Sequence, residues 1–217
     1  MFEFPSNVEF SLGTPITSSS EITFWVVLNR FIPLLEITLL AITAFIAYKS
    51  LVAWRDQAEY QSKREAAKEI FQLSTRCGLW LFEARQSGDA PEHFVRQEVL
   101  ERSADQIPEH VTEKFNSLSS VAFAKYLLLE KKSDFDELTL ALKRGKKYFA
   151  ASGIDEISDL VDLRETIEFH SSALFDFELK GVPITDPNES RSYCFRVGGD
   201  HSIEDRIEAA LAKATLI

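Results

Sequence analysis

The chain has 217 residues, 45% of them apolar, with 8 Gly, 7 Pro and a formal net charge of −10. These values exclude a disordered chain, a turn-rich sandwich or barrel of many strands, and a general nucleic-acid binder, which needs clustered positive charge to meet phosphate. Two cysteines, Cys77 and Cys194, are too few and too far apart for a disulfide framework or a four-ligand zinc site, and reduced thiols are expected.

In chain order, residues 1–21 carry three Glu and no Lys or Arg. A secretory signal needs a basic n-region, so this segment reads as a short extracytoplasmic tail. Ser18 and Glu21 make a capping-box pattern that would start a helix. Residues 22–54 form the expected transmembrane anchor, with its core at about 31–53. From Phe31 to Tyr48 the single charge is Glu36, and the apolar run resumes after Lys49 through Leu51, Val52 and Ala53 to Trp54. About 20 such residues, at 1.5 Å each, cross a bilayer core. Phe24 and Trp25 precede the run, and Tyr48 and Trp54 close it, as in an interfacial aromatic belt. Pro33 predicts a kink near the outer interface.

Two polar residues mark the anchor. Arg30 sits at the outer edge, where its stem can snorkel to headgroups. Glu36 lies in the first third. It reads either as a carboxyl near the outer headgroups or as a polar contact between anchors, with Arg30 of a neighbouring chain as its partner. Only Arg30 precedes the span, whereas Lys49, Arg55, Lys63, Arg64 and Lys68 flank its other end. The positive-inside rule places the N-terminus outside and the remainder in the cytoplasm, in an inner or plasma membrane.

Residues 55–217 are expected to form one cytoplasmic all-α domain, a bundle of five or six helices into which the anchor helix continues. Ala66, Ile70, Leu73, Cys77, Trp80 and Ala84 recur at alternating four- and three-residue steps, the stripe of a helix that packs along others. Pro91 opens a second helix, with Phe94, Val95, Val99 and Leu100 apolar, and Pro108 a third, with Val111, Phe115, Leu118, Ala122, Tyr126 and Leu129 on one face. Ser133 with Asp136 is a cap signal for a fourth, which would close at Gly153. A fifth is predicted over Asp155–Lys180, on the stripe Leu160, Leu163, Ile167, His170, Leu174 and Phe177, with Gly181 as its stop. Residues 182–200 are the longest irregular stretch, with a short strand expected over Ser192–Val197. A last helix carries Ile203, Ile207, Leu211 and Ala214 on one face.

The chain has no Gly-rich phosphate loop, no Gly-x-Ser-x-Gly and no His-Glu-x-x-His, so no cofactor and no metal is expected. Asp155, Asp159 and Asp162 share a helix face but read as a solvated acidic surface. Lys143, Arg144, Lys146 and Lys147 are the densest basic cluster. They are candidates for an anion or a lipid headgroup, or a solvated helix end that complements the dipole.

The segment Arg164-Glu-Thr-Ile-Glu-Phe-His170 resembles the active-site pattern of HEPN ribonucleases, in which Arg is followed four to six residues later by His on a late helix of a small helical domain. The resemblance covers these seven residues and the helical character of the chain. It implies RNA cleavage, with His170 as general acid and base and Arg164 holding the phosphate. Arg196-Val-Gly-Gly-Asp-His201 repeats the spacing. On a straight helix, six residues turn side chains about 240° apart, and His170 falls on the apolar stripe, which suits a core histidine.

The leading expectation is a single-pass, non-enzymatic interaction or oligomerisation module, whose partners are the lipid bilayer and further copies of itself or another protein. The alternatives are a membrane-tethered HEPN-like ribonuclease of a stress or defence system, and an oligomeric pore lined through Glu36, Thr38 and Thr43.

Overall fold

A computed structural model describes residues 19–103, 111–195 and 201–217, and among them the chain is all α-helical, with no strand. The helices are α1 (Ser19–Ala84), α2 (Glu92–Arg102), α3 (Val111–Glu130), α4 (Lys132–Gly145), α5 (Ala151–Lys180), α6 (Pro187–Cys194) and α7 (Ser202–Ala214). The chain divides into two compact units, Met1–Ala58 and Glu59–Ile217. The Ser18 cap and the helix start at Pro108 lie outside the described residues.

In the first unit, α1 runs on without a break, and Pro33 lies inside it. The proline ring leaves the Asn29 carbonyl without its usual i+4 donor. Every residue from Arg30 to Leu51 is exposed. This is a helix long and apolar enough to cross a membrane, and none of its most apolar stretch is buried. Thr38 and Thr43 donate their hydroxyls to the carbonyls of Leu34 and Leu39, at 2.7 and 2.8 Å. The two hydroxyls are thereby satisfied within the helix, as an apolar environment requires.

In the second unit, the rest of α1 buries Ile70, Leu73, Cys77, Leu81 and Ala84 against α3, α4, α5 and α7. A second apolar cluster joins Val95 and Val99 of α2, Leu118 and Val121 of α3, and Leu174, Phe175 and Leu179 of α5. The 30-residue α5 passes through both clusters, from Ile154 to Ile167 in the first and from Leu174 to Leu179 in the second. Its expected stripe is buried at Leu160, Leu163, Ile167 and Leu174. Gly181 ends it in the left-handed conformation, φ 67°, and its N–H donates to the Phe177 carbonyl at 2.8 Å.

Several expectations are corrected. Ser133 is not a cap. One residue alone joins α3 to α4, so the cap position falls on Lys131, whose ammonium has no acceptor for a side-chain cap bond; its carbonyl accepts from the Asp134 N–H at 3.1 Å. Gly153 does not end α4; it is buried in the first turn of α5. The last residue of α4 is the buried Gly145, where a Cβ would stand 2.6 Å from Ile70 Cδ1, so a side chain there would have to displace the end of Ile70. Ser192, Tyr193 and Cys194 are helical rather than strand, within α6. The Asp186 carboxylate accepts from the N–H groups of Asn188 and Glu189 at 2.9 and 3.0 Å, and Pro187 follows it in the first turn. Leu129 is 40% exposed, and Leu127 and Leu128 are buried in its place.

Candidate functional site

α5 carries both members of the ribonuclease-like pair. Arg164 is 7% exposed. Its guanidinium donates to Glu168 one turn on, at 2.6 Å, and lies 5.6 Å from the centre of the buried Phe135 ring. His170 has different neighbours. Its Nδ1 shares a 3.0 Å hydrogen bond with Ser190 Oγ, and its ring stacks on Tyr193 with centroids 4.3 Å apart and planes 1° from parallel. The two residues are thus tied to different flanks of the helix, Arg164 toward α4 and His170 toward α6. In this arrangement Arg164 orders an apolar contact, and His170 docks α6 on α5.

Burial pushes the His170 pKa down, against the smaller upward pull of Glu189. The folded state therefore favours the neutral ring. Stability from this site is complete above the ordinary value of 6.5 and is lost as pH falls through the depressed folded pKa. The imidazole should titrate below 6.5 by NMR, and His170→Gln should flatten the fall of Tm between about pH 7 and about pH 5. A midpoint above 6.5 would place the ring beside a dominant carboxylate instead.

The basic cluster lies at the C-terminal end of α4. Lys143, Arg144, Lys146 and Lys147 are all exposed, around the buried Gly145. Arg144 donates to Glu69 of α1 at 2.6 Å, and Lys147 lies over the Tyr148 ring. Arg30 and Glu36 are both exposed on α1. Six residues separate them by about 9 Å along the helix axis and by about 120° around it, so they leave different faces of the helix.

No group of three His, Cys, Asp or Glu is placed to hold a metal ion among the described residues. In the acidic trio, Asp159 is bound to Arg206 of α7, at 2.9 Å from Nε and through a second, shorter bond from Nη2.

Charged groups that sequence reasoning passed over sit between helices. Glu98 of α2 accepts from Lys125 of α3 at 2.7 and 2.8 Å and from Arg102 at 2.9 and 3.2 Å. Arg102 also reaches Asp176 at 2.7 Å and the Ser172 carbonyl at 3.1 Å, both on α5. Arg85 meets Glu204 at 3.2 Å, with both side chains buried. Trp80 donates to Asp134 at 2.7 Å, which also receives Arg76 at 3.3 Å. Only the Glu98–Arg102 spacing signals itself in the sequence, as an i,i+4 pair. The surface depression lined by Arg85, Gln86, Ser87 and Phe195 is bordered by a guanidinium already bound to Glu204. No family model, curated protein or solved structure matches the chain.

Proposed function

We propose that the chain is a single-pass membrane protein whose helical domain, on the cytoplasmic side, docks a partner protein or further copies of itself and carries no catalytic centre. The observation that supports this most is the run from Arg30 to Leu51, exposed at every position on one uninterrupted helix. A helix that packed into the core of its own chain would bury part of such a run. The buried charges of the domain support the second half of the reading, since Arg85, Glu98, Arg164 and Glu204 are each engaged in an ion pair within the fold.

Crosslinking of the chain in membranes should give multimers, and Glu36→Leu should change their yield. A chain that crosslinks no copies and captures no partner would reduce the anchor to a tether and remove the pore reading with it. Orientation is tested by Ser11→Cys and a membrane-impermeant maleimide, which should label intact cells. The native thiols are silent in that experiment: Cys77 and Cys194 are fully buried, and burial pushes both up to about 12. RNA cleavage by the purified chain, lost in folded Arg164→Ala and His170→Ala variants alike, would replace this reading by the ribonuclease one.

A further inference from the structure

We infer that the end of α4 and the first turns of the second unit form one surface that binds the anionic headgroups of the bilayer. The inference rests on the membrane-anchor reading. Lys143, Lys146 and Lys147 are exposed at i, i+3 and i+4, and the helical backbone continues through Lys146, so the three ammonium groups share a face. Lys63 of α1 joins them, with its Nζ 5.6 Å from the centre of the Phe149 ring, and Phe149 meets Tyr148 edge to face. Arg144, held by Glu69, fastens the end of α4 onto α1. A groove between them is lined by Ser62, Glu65, Ala66, Glu69, Arg144, Lys147 and Tyr148.

The charge here runs against the rest of the chain. Residues 59–69 and 143–147 together hold seven Lys and Arg against three Glu, a surplus of four in a chain whose total is −10. The lysines are not needed to cap α4. The carbonyls of Leu142, Arg144 and Gly145 already accept from the backbone N–H groups of Lys146, Lys147, Tyr148 and Phe149. Each cation close to an anionic membrane surface contributes about 1 kcal/mol, so four act together where one would not. A lipid surface is favoured over RNA by chain continuity. Lys63 follows Trp54, the last residue of the expected span, by nine residues, about 14 Å of helix. The half-buried Tyr148 and Phe149 add the amphipathic aromatic character of a headgroup contact.

The test uses the full chain, reconstituted into vesicles of phosphatidylcholine alone or with about 30% phosphatidylglycerol, and lysine acylation read by mass spectrometry. Labelling of Lys143, Lys146 and Lys147 should slow about fivefold in the anionic vesicles and recover in about 0.5 M salt. Lys132, exposed at the other end of α4, should not change. Lys146→Glu combined with Lys147→Glu should abolish the protection of Lys143 while leaving the helical circular dichroism intact. Equal labelling in the two vesicles overturns the inference and leaves the anchor untouched. Equal protection by inorganic phosphate or by RNA over neutral vesicles overturns it in favour of that anion. Failure of the chain to float with either vesicle removes the anchor reading and this inference with it.

Discussion

Glu98→Ala should destabilise the helical domain by about 3 kcal/mol, the range found when one partner of a buried ion pair is removed. Glu98 is 7% exposed and is the shared acceptor of Arg102 and Lys125, so α2 is held to α3 through it. Its removal strands two cations whose side chains are only 17% and 20% exposed. Arg102 keeps Asp176 as a partner, but Lys125 loses the carboxylate that both of its hydrogen bonds reach. Glu98→Gln should cost less, because an amide oxygen still accepts from Lys125. Urea unfolding followed by circular dichroism measures both variants. A change below about 0.5 kcal/mol for the alanine variant would mean that the network is solvated and contributes as a surface pair does.

Phe135→Ala should cost about 4 kcal/mol, within the usual range for deleting a buried aromatic ring. The ring is fully buried in the cluster that α1, α3, α4, α5 and α7 share. It also supplies the face over which the Arg164 guanidinium lies, so its loss removes a cation–π contact as well as apolar area. Phe135→Leu should recover about half of the loss, since most of the volume is restored. This pair of variants bears on function. If Arg164 is part of the packing, Arg164→Ala should destabilise in proportion to what Phe135→Ala does, and a double-mutant cycle should show coupling of about 1 kcal/mol. Additive losses would separate Arg164 from the core and return it to the list of residues available to a ligand.

The elements legible in the sequence are those set by local periodicity. The stripe of α5 and its stop at Gly181 need nothing beyond one helix, and the same holds for Ile70, Leu73, Cys77 and Ala84 on α1. What was lost depends on neighbours. α3 serves the second cluster with Leu118 and Val121 and the first with Ala124, Leu127 and Leu128, so its apolar face turns along its length. A stripe extended in single file from Leu118 therefore arrives at Leu129, which is exposed. Gly145 and Gly153 look alike as stop signals. Neither takes the left-handed conformation of Gly181: Gly145 is the last residue of α4 beside Ile70, and Gly153 lies in the first turn of α5. Asp186-Pro187 is a readable start signal for α6, but the polar residues around it, Thr185, Asn188 and Ser190, equally suit a loop. As for the site, the sequence places Arg164 and His170 on one helix. It does not show that the first lies under Phe135 and the second against Tyr193 and Ser190.

The claim on which the account turns is that the apolar part of α1 lies in a bilayer, and alkaline carbonate extraction of membranes carrying the full chain tests it most directly. The chain should remain with the sedimented bilayer after extraction. With Leu40→Arg and Ile42→Arg together near the middle of the run, it should pass to the supernatant, because each charge at that depth costs about 3 kcal/mol of insertion. Recovery of the unaltered chain in the carbonate supernatant would contradict the account.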